Sequence, residues 1–213
     1  MRALIYTGGV IHPSNITEHP KGDDLCIAAD SGYRNALALG VTPDIVLGDF
    51  DSLGDCKIPE ATERLQVPAE KDFTDTQLAV DTAIKRGATE IVIIGGLSGR
   101  LDHTLSNLSI LEDLYQKKIH AVITDGQNRV RYLNATSTLI PRSGFRYLSL
   151  LTLSEKAKGV EIEGCKYPLK NAVLQRNFQY AVSNEITGNC ALISVRKGGV
   201  YIVESADTES KDH

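Results

Sequence analysis

Asp49 and Asp51 stand two residues apart in Gly48-Asp49-Phe50-Asp51-Ser52, directly after the apolar run Ile45-Val46-Leu47. In an extended backbone the side chains at i and i+2 project to one side, so these carboxylates can converge on a single cation. More acid follows in Lys71-Asp72-Phe73-Thr74-Asp75, ahead of an amphipathic stretch. Gly95-Gly96-Leu97-Ser98-Gly99-Arg100-Leu101-Asp102-His103 then follows the run Ile91-Val92-Ile93-Ile94. Carboxylates at 49, 51, 72, 75 and 102, with the planar fork of Arg100, suit a polyphosphate held through a hard divalent ion such as Mg²⁺, which takes oxygen ligands and keeps some water. Gly95, Gly96 and Gly99 permit close backbone approach to such a ligand. Asp102 is either a helix cap or an inward-facing carboxylate, and His103 reads as a hydrogen-bonded structural histidine.

The elements that must position these loops repeat one pattern over the first half of the chain. Ala3-Leu4-Ile5-Tyr6 runs into Thr7-Gly8-Gly9, Leu25-Cys26-Ile27-Ala28-Ala29 into Asp30-Ser31-Gly32, and Ala121-Val122-Ile123 into Thr124-Asp125-Gly126. Short uninterrupted apolar runs alternating with helical patterns are what strands covered on both faces of a parallel sheet require, so this half is expected to be α/β. In open sheets of that kind the ligand crevice lies at the carboxyl ends of the strands. Every acidic or glycine-rich loop named above is read as following its strand, so all of them are expected to gather on one edge.

The helices carry their own signals. Thr74 with Gln77 makes a capping box, Phe73 and Leu78 occupy the positions of a hydrophobic staple, and Gly87 can end the helix in a left-handed conformation, which predicts a helix over 75–86. Capping alone would also account for Asp72 and Asp75, because carboxylates are favoured at helix starts. Leu101, Leu105, Leu108, Leu111 and Tyr115 lie along one helical stripe and are expected to pack in the core. Tyr33 to Leu39 is a short helix stopped by Gly40; its start follows Asp30-Ser31-Gly32, where free N–H groups could meet a phosphate or a nucleotide hydroxyl.

From about residue 127 the period changes to short strands: 129–133, 145–153, 159–162, 180–182, 191–195 and 200–203. Turn signals at Asn134-Ala135, Arg142-Ser143-Gly144, Glu163-Gly164, Thr187-Gly188-Asn189 and Lys197-Gly198-Gly199 separate them. Close-spaced strands without helix patterns predict a small antiparallel sandwich or barrel. The expected organisation is an α/β domain over 1–126, a β domain over 127–205 and a poorly ordered polar tail over 206–213. A β domain of that size has a modest core, which favours docking on a partner and suggests a homodimer.

Hydrophobic residues make up 42% of the 213-residue chain, ordinary for a globular protein. The net charge of −4 is spread without a basic patch, which argues against nucleic acid as a partner. No leader-like segment and no run of membrane-spanning length occurs, so a cytoplasmic location is expected. Cys26, Cys56, Cys165 and Cys190 are widely spaced with no C-x-x-C pair, and read as reduced structural thiols. Neither a G-x-x-x-x-G-K-[ST] loop nor a G-x-S-x-G elbow occurs.

Taken alone, Asp-x-Asp fits metal-dependent glycosyltransferases and phosphatases as well as a solvated turn. The ordered set is more specific. Ala29-Asp30-Ser31-Gly32, Gly48-Asp49-Phe50-Asp51-Ser52, Lys71-Asp72 with Thr74-Asp75, Gly95-Gly96 with Gly99-Arg100-Leu101-Asp102-His103, and the late Ser183-Asn184-Glu185 together resemble the thiamine pyrophosphokinase family over almost the whole chain.

That resemblance implies an N-terminal Rossmann-like α/β domain, a C-terminal β-sandwich, and a homodimer with active sites between subunits. It implies transfer of diphosphate from ATP to thiamine, giving thiamine diphosphate and AMP. Asp49, Asp51, Asp72 and Asp75 become the acids that handle Mg²⁺ and phosphate, with Arg100 and Asp102 beside them. Asp30, Ser31, Gly32, Gly95, Gly96, Gly99 and Arg100 become ATP contacts, and Ser183 and Asn184 thiamine contacts. Asp72 and Asp102 are both candidates for the general base. Some members of the family place a tryptophan against the thiamine rings; this chain has no Trp. Another nucleotide-using transferase, or a nucleotide-sensing binding protein, stays open as an alternative.

Overall fold

Parallel strands carry the first half of the computed structural model, which describes residues 1–49, 57–66 and 73–207. The chain divides into two units, Met1–Gly126 and Gln127–His213. Among the described residues of the first unit the strands are β1 (Arg2–Tyr6), β2 (Leu25–Ala29), β3 (Ile45–Gly48), β4 (Glu63–Gln66), β5 (Glu90–Ile94) and β6 (His120–Thr124). They pair in parallel in the order β4-β3-β2-β1-β5-β6, with Ile5 in register with both Ile27 and Ile93.

Both faces of the central strands β1, β2, β3 and β5 are dry. Leu4, Tyr6, Ala28, Val46, Val92 and Ile94 pack with Tyr33 and Ala36 of the short helix α1 (Gly32–Ala38). Ile5, Ile27, Ile45, Leu47, Ile91 and Ile93 alternate with them and are equally buried. Helix α2 (Asp75–Lys85) packs on β1, β2 and β3, and α3 (Leu101–Gln116) on β6 and α2. Each such aliphatic side chain contributes about 1.5–3 kcal/mol when fully withdrawn from water, which is why strands with apolar residues at every position belong in the middle of this sheet.

Two local expectations are modified. Thr74 caps α2, its Oγ1 accepting from the Gln77 N–H at 3.1 Å, but the Gln77 side chain donates to Asp81 at 3.0 Å, so only half of the capping box forms. Phe73, the outer member of the expected staple, is 59% exposed. The leucine stripe of α3 packs only in its later part: Leu111 is buried and Leu108 and Tyr115 are half-buried, alongside buried Asn107, Ile110 and Leu114, whereas Leu101 and Leu105 are 70% and 51% exposed. The buried face begins only at Asn107. Strand β4 has no apolar run to announce it; Glu63-Arg64-Leu65-Gln66 sits at the sheet edge, largely exposed.

The second unit has two antiparallel sheets around one core. β7 (Asn128–Asn134), β13 (Gly199–Ser205) and β9 (Tyr147–Leu151) form one, in the order β7-β13-β9. β11 (Leu169–Gln175), β10 (Lys156–Glu163), β12 (Cys190–Lys197) and β8 (Ser137–Pro141) form the other, in that order. Leu133, Leu150, Val200 and Ile202 from the first meet Val160, Ile162, Leu174 and Ile193 from the second. β8 and β11 are edge strands rich in polar residues and carry little periodic signal.

Residues 180–182, expected as a strand, are not one. The Ala181 carbonyl accepts from Leu150 N–H at 2.7 Å and Asn184 exchanges backbone hydrogen bonds with Leu148 at 3.0 and 2.8 Å, but Ser183 between them adopts φ 56° and gives its N–H to Ser149 Oγ, so the pairing with β9 stays an isolated bridge. The expected tail is anchored where described: Ala206 N–H donates to the Gln127 carbonyl at 3.0 Å and Asp207 accepts from Tyr147 Oη at 3.1 Å, while 208–213 lie outside the described residues. Cys26 and Cys165 are buried free thiols, burial lifting Cys26 to about 11 and raising Cys165 as well; Cys190 is exposed and Cys56 lies outside the described residues.

Candidate functional site

The strand order reverses at β1, which has β2 on one side and β5 on the other. Connections leaving neighbouring strands at such a point diverge, and a crevice opens at their carboxyl ends. In the first unit this crevice is a cleft of about 360 Å³ lined by Thr7-Gly8-Gly9 after β1, Asp30-Ser31 after β2 and Gly96 after β5. Thr74-Asp75-Thr76 at the start of α2 and Ser98, Gly99 and Arg100 before α3 complete the walls, with His103 and Asn107 of α3. Loops separated by tens of residues are thereby gathered on one edge.

The two glycine loops are laced together by backbone and amide hydrogen bonds. Gly96 N–H donates to the Gly8 carbonyl at 3.0 Å. Asn35 Nδ2 donates to the carbonyls of Thr7 at 2.7 Å and Gly9 at 3.0 Å, and the buried Asn107 donates to the Gly96 carbonyl at 3.0 Å. Ser98 Oγ accepts from Val10 N–H at 2.7 Å. There is no room for a side chain at Gly96, where a Cβ would come within 2.5 Å of Asn107 Nδ2 at φ 71°. Sequence reasoning missed Thr7-Gly8-Gly9, Asn35, Ser98 and Asn107 as members of the site. The glycine pair directly after the first strand was the available signal, since it follows the same strand-then-glycine rule that singled out Gly95-Gly96.

Gly32 and Gly95 are buried beneath the cleft. A Cβ on Gly32 would lie 2.0 Å from the Tyr6 carbonyl oxygen, so this glycine lets α1 press against the end of β1. His103, expected as a hydrogen-bonded structural residue, is exposed and lines the cleft.

Of the predicted acids, Asp75 lines the cleft at the first position of α2. Asp30 lines it too, with φ 49° and its N–H donating to the Leu47 carbonyl at 2.8 Å. Asp49 is half-buried and follows Gly48, whose absent Cβ would stand 3.3 Å from Asp30 Cα, so the loops after β2 and β3 touch beside Asp49. Asp51 and Asp72 lie outside the described residues. Among the described residues no group of three or more His, Cys, Asp or Glu converges as a metal site.

Asp102 is not among the cleft-lining residues. Arg100 Nε donates to Asp102 Oδ1 at 3.1 Å and Nη2 to Oδ2 at 2.6 Å, with the two side chains 73% and 63% exposed. Hydrogen bonding to Arg100 lowers the Asp102 pKa below the ordinary carboxylate value, and the same contact raises that of Arg100.

Ser183 and Asn184 lie in the second unit. Ser183 N–H donates to Ser149 Oγ at 3.0 Å. The Asn184 side chain is buried and turned inward: Oδ1 accepts from the N–H groups of Tyr167 and Glu185, each at 2.9 Å, and Nδ2 donates to the Tyr167 carbonyl at 2.7 Å. It therefore clamps the segment carrying Tyr167, whose ring is exposed with Lys166 Nζ 5.5 Å from its centroid.

A family model for the thiamin pyrophosphokinase catalytic domain matches residues 18–123, and one for the thiamin pyrophosphokinase vitamin B1 binding domain matches 136–200. The chain is 31% identical over 198 residues to thiamine pyrophosphokinase of Bacillus subtilis, spanning 91% of this chain and 92% of that one. A crystal structure of the Bacillus subtilis thiamine pyrophosphokinase superposes with a TM-score of 0.88 at 28% identity, covering 98% of this chain and all (100%) of the other. A thiamin pyrophosphokinase family protein from Enterococcus faecalis superposes with a TM-score of 0.81 at 30% identity, covering 98% and 100%.

Proposed function

The chain belongs to the thiamin pyrophosphokinase family and is an enzyme of that family; from this premise we propose that the cleft of the first unit binds the triphosphate of ATP and that the hydroxyl of thiamine attacks the β-phosphorus in line, giving thiamine diphosphate and AMP. The observation that carries the reading is the gathering of the loops after β1, β2 and β5, with Asp75 and Arg100, around one cleft at the reversal of strand order. The reversal of strand order at β1 supports a Rossmann-like reading of the sheet, and backbone N–H groups in such a crevice suit phosphate oxygens.

Mg²⁺ is the divalent ion this reading calls for. Asp49 and Asp75, with Asp51 and Asp72 outside the described residues, would hold it; their donors are oxygens only, which fits a hard cation. When bound, the ion would offset charge on the triphosphate as AMP leaves. The protein's own contribution is positional. The laced glycine loops present fixed backbone dipoles, Arg100 offers a fork for phosphate oxygens, and Asp72 and Asp102 are the two candidates to accept the hydroxyl proton.

In the second unit, Ser183 and the Asn184 clamp are read as the thiamine side of the reaction. Tyr167 supplies the exposed ring, 57% accessible, that a chain without Trp can lay against the thiamine rings. Exposed Val173, Phe178, Tyr180 and Val182 support a homodimer, since apolar surface of this kind is normally covered. Free thiols fit a cytoplasmic, reducing setting.

Incubation with ATP, Mg²⁺ and thiamine should yield AMP and thiamine diphosphate in equal amounts. ADP as product would mean monophosphate transfer, and unchanged nucleotide would favour a binding protein. Asp75→Asn should lower kcat by roughly 100-fold or more while Tm moves by only a few degrees; a large loss of Tm with kcat intact would make Asp75 a helix-start residue alone.

A further inference from the structure

Arg100 is the one lysine or arginine among the described cleft-lining residues, and one edge of its guanidinium is already engaged. Both oxygens of Asp102 are engaged, by Nε at 3.1 Å and by Nη2 at 2.6 Å, so the carboxylate takes the edge of the guanidinium that pairs best with two oxygens at once. A phosphate presents the same kind of oxygen pair, and one edge cannot serve both. The pair spans only two positions, from the residue that caps α3 to the second residue of the helix, so Asp102 is fixed by the helix while the long Arg100 side chain keeps its freedom. Asp102 itself does not line the cleft, and both groups are well exposed, which makes the contact weak and exchangeable.

We infer that Asp102 is a positioning residue: a resident counter-ion that holds the Arg100 fork at the cleft wall and is exchanged for phosphate oxygens when the nucleotide tail binds. This rests on the reading of the cleft as a triphosphate site. In that role Asp102 competes with the substrate for Arg100 and neither accepts a proton from thiamine nor binds the metal.

The test is the affinity of α,β-methylene ATP, measured by titration calorimetry at fixed ionic strength, for the unaltered protein, Asp102→Asn, Asp102→Glu, Arg100→Gln and the Arg100→Gln/Asp102→Asn double variant. Asp102→Asn should bind about two- to fivefold more tightly, the range that an exposed ion pair corresponds to. Asp102→Glu, which can still reach the fork, should return toward the unaltered value. In the Arg100→Gln background, loss of the Asp102 charge should have little effect. An equal gain in both backgrounds would mean that Asp102 merely repels the anion at a distance and would overturn the exchange. Weaker binding by Asp102→Asn would also overturn it. In steady state the same variant should lower KM for ATP; a large fall in kcat at unchanged KM would assign Asp102 as the base instead. If the unaltered protein binds no analogue at all, the triphosphate site itself is rejected, and the exchange with it.

Discussion

The Asn184 side chain is held by the protein's own backbone. Its position beside Ser183 marks it as a ligand contact by resemblance, but all its described side-chain hydrogen bonds go to backbone, to Tyr167 twice and to Glu185. Only the fold reveals that orientation, because Tyr167, which makes two of the three hydrogen bonds, lies 17 residues away in sequence. Asn184→Ala would strand buried N–H and C=O groups, costing about 2–3 kcal/mol. For a chain of this length that is a fall in Tm of roughly 4–12 °C. The KM for thiamine should rise while that for ATP holds; equal rises in both would remove the Tyr167 segment from the thiamine pocket. Asn35 and Asn107 act in the same way on the glycine loops, and neither carried a local signal, since a helical asparagine reads as a surface residue until its partner is known.

At the level of elements, the strands with apolar residues at every position were legible and the edge strands were not. β1, β2, β3 and β5 are dry on both faces and so cannot be mistaken for loops, whereas β4, β8 and β11 have exposed positions that any polar segment could match. Helix α2 was legible from its cap. Thr74→Ala should cost about 1 kcal/mol, or about 2–4 °C in Tm, with Thr74→Ser restoring most of it; an unchanged Tm would mean the 3.1 Å bond to Gln77 N–H adds nothing. Helix α3 misled in its first turns because leucines at 101 and 105 continue the helical spacing of Leu108 and Leu111 into a stretch that is exposed among the described residues.

At the scale of the molecule, the ends of the first sheet are tied by charge as well as burial. Arg2 at the start of β1 donates through Nε to Asp24 at 3.0 Å and also through Nη2, and Lys21 N–H donates to the same carboxylate at 2.8 Å. The hydrogen bond from Arg2 holds Asp24 below its ordinary value of 3.8. A carboxylate whose pKa is lower in the folded state adds stability above its unfolded value, and that contribution is lost as pH falls through the folded one. Asp24→Asn should therefore lower stability at pH 7 by about 1.5–3 kcal/mol, and the gap from the unaltered protein should close below pH 3.8. A gap of constant size down to acid would mean that shape, not charge, sets the effect.

The chain by itself determined which segments are strands buried on both faces, which loops carry acid and glycine, and that these loops follow strands, because each is a property of a few adjacent residues and the period of one backbone. Only the tertiary structure decided that β1 stands between β2 and β5, so that Thr7-Gly8-Gly9 adjoins Gly96 in the wall of one cleft, and that Asp102 spends its charge on Arg100. Strand partnership is chosen by burial summed over the whole sheet, and apolar runs of equal length and composition are interchangeable until that sum is made.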